Sequence, residues 1–214
     1  MIVKYLNHTY EVNDSFGSSI ASGSSQPYVG EMDIVKDYLQ EYPDKKKTFL
    51  DIGGHIGTFS IPFAEIFKCV HSYEPNGETF ELLKRNIKLN NITNIIAYNF
   101  AVSSHGNSMK IVRYGNNTGC YYSLKDSSGD IKSVILDKLE YQNVDFIKVD
   151  IGGGELDVLK GCHNILVRDK PLLEVNIGLS YKNHQVTEDD IFDYIYSLGY
   201  TIFDINNDYF FYCP

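Results

Sequence analysis

The run Phe49-Leu50-Asp51-Ile52-Gly53-Gly54-His55-Ile56-Gly57, followed by Tyr73-Glu74-Pro75-Asn76, constrains the fold more than any other part of the chain. Each half follows a short apolar segment. A strand that ends in Asp-x-Gly-x-x-x-Gly and opens a helix lets backbone approach a ligand closely, because glycine has no Cβ. An acidic residue about 20 positions on, at the tip of the next strand, can accept hydrogen bonds from both hydroxyls of a ribose. Together they describe half of a nucleoside-cofactor pocket at the carboxyl edge of a parallel sheet.

The rest of the chain repeats the alternation of strand and helix. Residues 1–12 alternate weakly and predict a strand or small hairpin. Ser15 to Ser25 is rich in Ser and Gly without periodicity and reads as a loop. Pro27 opens a helical pattern from Tyr28 to Tyr42, with Met32, Val35 and Leu39 on one face. Strands are predicted at 48–52, 69–73, 94–100, 109–114, 131–136, 145–150 and 171–176. Helices are predicted at 58–67, 76–89 (capped by Asn76), 155–166 and 187–198 (capped by Thr187 and stopped by Gly199). Residues 200–205 and 209–212 predict a closing hairpin. The expected fold is α/β, a Rossmann-like doubly wound, mostly parallel sheet with an antiparallel carboxyl-terminal hairpin. One domain is expected over 1–214, with 1–46 as an amino-terminal cap on a core of 47–214.

Charge and composition exclude several classes. The chain has 214 residues and a net charge of −9, which opposes a nucleic-acid binder, since those cluster Lys and Arg. Lys45-Lys46-Lys47 reads as a solvated loop. No apolar stretch approaches the ~18 residues needed to span a bilayer, and the four cysteines form no Cys-x-x-Cys pair. A soluble, cytoplasmic protein with reduced thiols is expected. The 17 tyrosines suit contacts with sugars or polar rings, or reflect compositional bias.

The turn departs from Gly-x-Gly-x-x-Gly, the dense pattern that a pyrophosphate needs. With Asp51 just before it, the turn suits a cofactor without phosphates, of which S-adenosylmethionine is the common one. Its amino-acid end would lie along Asp51, Gly53, His55 and Gly57. Its ribose would rest on Glu74 and its adenine beside Asn99 or Ala101. The Ser18–Gln26 segment with Tyr28 would fold over it.

These motifs, with Leu82 to Asn90, Ser133 to Leu139 and above all Val144-Asp-Phe-Ile-Lys-Val-Asp-Ile-Gly-Gly-Gly-Glu-Leu-Asp-Val-Leu-Lys-Gly161, resemble the FkbM family of methyltransferases over roughly residues 47–177. The resemblance implies a class I methyltransferase sheet, S-adenosylmethionine as donor, and O-methylation of a hydroxyl, often on a sugar. Two departures stand out. The family places an acidic residue where this chain has Gly152, and relatives tend to carry Asn at the position of His55. The first implies a changed acceptor pocket or lost activity.

Methyl transfer to a hydroxyl needs alignment and a base. Asp150, at the tip of a central strand and next to flexible glycines, is the candidate; a helix-capping Asp is the plain alternative. Lys148, two residues earlier on the same strand face, would tune it or form an ion pair. Asn117, Glu174 and Asn176 are candidates for acceptor contacts. Asp150 and Glu174 offer hard oxygen donors for a divalent cation such as Mg²⁺. The acceptor expected is a sugar or small-molecule hydroxyl. A nicotinamide-dependent oxidoreductase and a binding module that has lost its chemistry remain open alternatives.

Overall fold

The computed structural model describes residues 1–113, 121–125, 128–177, 186–205 and 208–214, with backbone alone at Arg113 and 121–125. An antiparallel hairpin, β1 (Ile2–Tyr5) and β2 (His8–Glu11), opens the chain and is followed by helices α1 (Ser15–Ala21) and α2 (Val29–Glu41). Then come β3 (Thr48–Ile52), α3 (Ser60–Phe63), β4 (Cys69–Tyr73), α4 (Gly77–Leu89), β5 (Ile95–Tyr98), β6 (Ala101–Val102), β7 (Met109–Arg113) and β8 (Tyr121–Lys125). The remainder is β9 (Ser133–Val134), a 3-10 turn at Leu136–Lys138, β10 (Val144–Val149), α5 (Glu155–Gly161), α6 (His163–Asp169), β11 (Leu172–Val175), α7 (Glu188–Ser197), β12 (Thr201–Ile205) and β13 (Tyr209–Tyr212).

The central sheet has seven strands in the order β12-β13-β11-β10-β3-β4-β5. The five inner and β5-side strands run parallel, and β13 returns antiparallel to both β11 and β12. This is the mixed α/β architecture expected, with β3 and β10 side by side at its centre.

Alternation along the strands divides the core into two layers. On one face Phe49, Phe146, Leu172 and Phe210 pack under α2 and α3, against Met32, Val35, Phe59 and Phe63. Phe49 and Phe146 stack at 4.6 Å between centroids, so truncating either would cost about 3–5 kcal/mol. On the other face Leu50, Ile147, Val149, Leu173 and Phe211 meet Leu156, Leu159, Ile165, Ile191 and Ile195 from α5, α6 and α7. The amphipathic spacing of these helices is what selects the doubly wound arrangement.

Local chemistry sets several boundaries. Asn76 caps α4 by accepting from the backbone N–H groups of Glu78 and Thr79. Thr187 and Asp190 form a reciprocal capping box on α7. Buried within α4, Asn86 accepts from the Glu11 N–H at 2.6 Å and donates to the Ile56 carbonyl at 2.9 Å, pinning the amino-terminal hairpin to the glycine turn.

Some expectations are corrected. Residues 15–21 are helical: Asp14 caps α1 through the Gly17 N–H, and Gly17 lies against Val12, where any Cβ would collide. The helix expected at 58–67 keeps helical form only over Ser60–Phe63. The helix expected at 155–166 breaks at Cys162, where φ of −123° ends α5 and begins α6. The strand expected at 131–136 shrinks to β9, paired with β6, and β8 was not anticipated. Among the described residues, Cys69, Cys162 and Cys213 are free thiols, and no helix is long and apolar enough to cross a membrane.

Candidate active site

Asp51, Lys148 and Glu174 stand in one row across three adjacent parallel strands, because Lys148 is in register with Asp51 on β3 and Glu174 on β11. All three are buried. They sit on the face shared with the phenylalanine layer, one pleat beyond Phe49, Phe146 and Leu172. The Lys148 ammonium lies 3.5 Å from Asp51 Oδ1 and 3.5 Å from Asp150 Oδ2. It donates to the Gly53 carbonyl at 3.4 Å and lies 5.5 Å from the ring centroids of both Tyr28 and Phe59. Burial presses its pKa down, but Asp150, Asp51 and Glu174 outweigh burial and hold it raised. The ammonium therefore stays charged in a site that would otherwise neutralise it.

Carboxyls outnumber this cation. Burial drives Glu174 well above the ordinary carboxylate range and raises its neighbour Asp208. Glu174 accepts no hydrogen bond from any described donor, whereas a protonated Glu174 has Asp208 as its partner. Asn176 Nδ2 donates to Asp208 Oδ1.

Asp150 follows β10 directly. Its backbone N–H continues the sheet by donating to the Ile52 carbonyl at 3.0 Å. Its side chain is 24 % exposed, against 0 % for Asp51 and 1 % for Lys148. Of that trio it alone reaches solvent. Tyr28 donates its hydroxyl to Asp150 Oδ2 at 3.0 Å and packs edge-on against Phe59. Tyr28 holds a left-handed backbone, φ +66°, which is uncommon for a bulky residue and concentrates at sites where surrounding structure imposes it. The sequence placed Tyr28 over the cofactor; the structure places it on Asp150.

Beyond Asp150, Gly152, Gly153 and Gly154 all have positive φ, +69°, +133° and +94°. The acidic side chain missing at 152 would have to adopt that left-handed conformation. Glu155 reaches back instead, accepting the Gly153 N–H at 2.7 Å.

The glycine turn is built on the tip of β4. Gly53 and Gly54 both donate to the Tyr73 carbonyl at 2.9 Å. Gly53 has φ +91°, and a Cβ there would lie 1.9 Å from the Asp150 carbonyl oxygen. Glu74 locks the turn, accepting from the His55 N–H at 2.9 Å and the Asn76 N–H at 2.8 Å. Burial raises its pKa to about 7 against those two bonds. Burial likewise lowers His55 to about 4, opposed by Asp14 and Asp150.

A cleft of about 230 Å³ opens beside this turn, walled by Gly53, Tyr73, Pro75, Phe100, Ala101 and Gly153 among others. Of the residues expected to hold a cofactor, Gly53 and Ala101 line it. Asn99 lies behind it and braces the strand tip by donating to the carbonyls of Glu74 and Pro75. Asp51 lies beneath the turn, bonded by the Ser60 hydroxyl. Gly57 packs against Ile61 and Leu83. Asp150, Lys148, Glu174 and Asn176 gather in the neighbouring polar layer, while Asn117 falls outside the described residues. Sequence reasoning missed Asp208, His105 and Asp157; the last two line the cleft. A signal for Asp157 existed, since it lies in the first turn of the helix that follows the glycine run.

The donors do not suit a divalent cation. The Lys148 ammonium already lies beside Asp150, burial holds the Glu174 carboxyl well above the ordinary range, and no group of three metal-ligating side chains occurs among the described residues.

Comparison with known proteins follows the same geometry. Residues 130–202 match the Methyltransferase FkbM domain. The chain is 29% identical to hexuronic acid methyltransferase AglP of Haloferax volcanii, over 72% of this chain and 66% of that protein. It is 26% identical to Methyltransferase 1 of Beauveria bassiana, over 61% of this chain and 64% of that one. It thus spans just under two thirds of the length of these relatives. The fold is similar to that of an FkbM methyltransferase from Methylobacillus flagellatus KT, with a TM-score of 0.55 and 20% identity, over 78% of this chain and 44% of that one.

Proposed function

We propose that this chain, whose residues 130–202 match the FkbM methyltransferase domain, transfers a methyl group from S-adenosylmethionine to a hydroxyl of a sugar. The observation that carries this reading is Asp150: a carboxylate reaching solvent at the centre of the sheet, next to an apolar cleft beside a glycine turn. The similarity to a hexuronic acid methyltransferase supports a sugar acceptor.

Fit to the donor rests on the cleft. Gly53 and Gly153 leave its wall without side chains where an amino-acid tail would pass. Ala101, Phe100 and Pro75 offer apolar surface to a flat base. The bound sulfonium supplies an activated methyl group. Asp150 would accept the proton of an acceptor hydroxyl held beside that methyl group. Tyr28 holds one Asp150 oxygen and leaves the other for the acceptor. The negative surplus around Lys148 favours a cationic donor nearby.

Calorimetry with S-adenosylhomocysteine tests the reading. Micromolar binding, about −8 kcal/mol, is expected. Glu74→Ala should lose at least about 1 kcal/mol, because the turn it ties is released. Absence of binding to the wild type would overturn the assignment.

A further inference from the structure

We infer that β5 is the pairing edge of a symmetric dimer, in which two copies of this chain join their sheets across a twofold axis beside Ala97. β5 ends the seven-stranded sheet, and among the described residues it pairs with β4 alone. The carbonyls of Asn94 and Tyr98 accept from the Val70 and Glu74 N–H groups on the β4 side. Backbone groups alternate in direction along a strand, so the N–H and C=O of Ile95 and Ala97 point away from β4. No described strand meets them there. Such an edge is a template for another strand, and folded chains blunt it with charge, proline or a bulge. The opposite edge of the same sheet is blunted. β12 carries an exposed Asp204, and its register with β13 breaks between Ile202 and Asp204. β5, Ile-Ile-Ala-Tyr, has none of these devices, and its register with β4 is unbroken.

Charge selects a second copy as the occupant. The chain carries −9, so two copies repel over most of their surfaces. From Leu89 to Met109 there is no Asp, Glu, Lys or Arg. Two copies can approach along this stretch without bringing like charges together. Ile96 stands on it 46 % exposed, with Leu89 at the end of α4 exposed as well. Leu139, also exposed, lines a cavity beside Tyr98. Apolar side chains thus flank the strand and are covered when the edges meet. Antiparallel pairing of β5 with its own copy is self-complementary, as a twofold interface requires. The two Ala97 residues then exchange both of their N–H···O=C bonds.

The test is sedimentation velocity of the full chain at micromolar concentration, beside Ile96→Lys and Ala97→Pro. The lysine sets like charges on both sides of the axis. The proline removes only an N–H that points away from β4, a change that an edge strand tolerates. Wild type should sediment at twice the chain mass. Both variants should sediment as monomers and keep the wild-type circular dichroism. Ile205→Lys, on β12 and 57 % exposed in the wild type, should stay dimeric. A monomeric wild type overturns the inference, as does a dimer that survives either β5 variant. Should those variants fail to fold, hydrogen exchange of the wild type decides. The Ala97 amide should be protected although no described strand of its own chain covers it, and rapid exchange there overturns the inference.

Discussion

The Tyr28 hydroxyl donates to the Asp150 carboxylate at 3.0 Å, joining residues 122 positions apart in the chain. The bond brings the entry of α2 onto the tip of β10. It fixes one oxygen of Asp150 while the residue remains 24 % exposed. Tyr28→Phe keeps the ring on Phe59 and removes only the hydroxyl. Turnover should fall about tenfold or more, the worth of one hydrogen bond to a charged group. Donor affinity should change less than twofold. Unchanged turnover with a sugar acceptor would remove Tyr28 from the reaction centre.

Asp150→Ala separates chemistry from binding. Its side chain is not among the walls of the donor cleft, so S-adenosylhomocysteine should bind with near wild-type affinity while methyl transfer drops by about 10²-fold or more. A fully active variant would exclude Asp150 as the base.

Lys148 is the one ammonium beside Asp51 and Asp150, and it is 1 % exposed. Lys148→Met leaves those carboxylates without their buried counter-charge. Unfolding in urea should show a loss of about 3 kcal/mol or more, the range for breaking a buried pair by removing one partner. Restoring charge balance by Asp51→Asn in the same chain should recover part of it, and strict additivity of the two changes would argue against their coupling.

Stability should fall as pH rises from about 4.5 through 7. Burial holds Glu74 and Glu155 at about 7, above their ordinary 4.5. The folded chain keeps protons that the unfolded chain has already released. Their contribution is full below about pH 4.5 and is lost as pH rises through 7. Between about pH 6.5 and 8 the two groups together should lower the unfolding free energy by about 1.5 kcal/mol, and Glu174 adds to the fall in the same direction. His55 acts oppositely: lowered to about 4 from 6.5, it costs stability as pH drops below 6.5. Two groups outweigh one, so urea titrations should show stability falling from about pH 5 to 7 and levelling off above about pH 8. Glu74→Gln should reduce the fall between about pH 6.5 and 8 by about half.

Two glycines should respond in opposite ways. Gly53→Ala places a methyl 1.9 Å from the Asp150 carbonyl oxygen at φ +91°. It should destabilise by about 2 kcal/mol or more and impair turnover. Gly77→Ala, at the first position of α4, meets nothing within 4 Å and should stabilise by about 0.4–1 kcal/mol. Thermal melting distinguishes them directly.

Much of this architecture was legible because its signals are local. β3 and β10 announce themselves as apolar runs ending in Asp and glycine, and Asn76 and Thr187 mark helix starts with their own side chains. Where long-range contact decides, the sequence was silent. Helix α1 forms from a Ser/Gly segment because Asp14 caps it and Val12 receives Gly17. Tyr28 finds Asp150 only through packing. Lys148 reads as a strand-face lysine, and its role as counter-charge for two elements follows from register with Asp51 and Glu174. Glu74 was placed at the ribose from its position after β4; its bonds to the backbone N–H groups of His55 and Asn76, which clasp the turn, had no signal in the sequence. His105 carried no periodic signal and emerges only as a neighbour of Asp157 at the cleft.

Asn86 joins the Glu11 amide to the Ile56 carbonyl, so the first dozen residues are mechanically continuous with the segment around the donor. Trimming the chain to its apparent nucleotide-type sheet would strip a buried amide of its partner and unseat Ile56. A shortened version of this scaffold must therefore keep the hairpin that carries Glu11 rather than begin at β3.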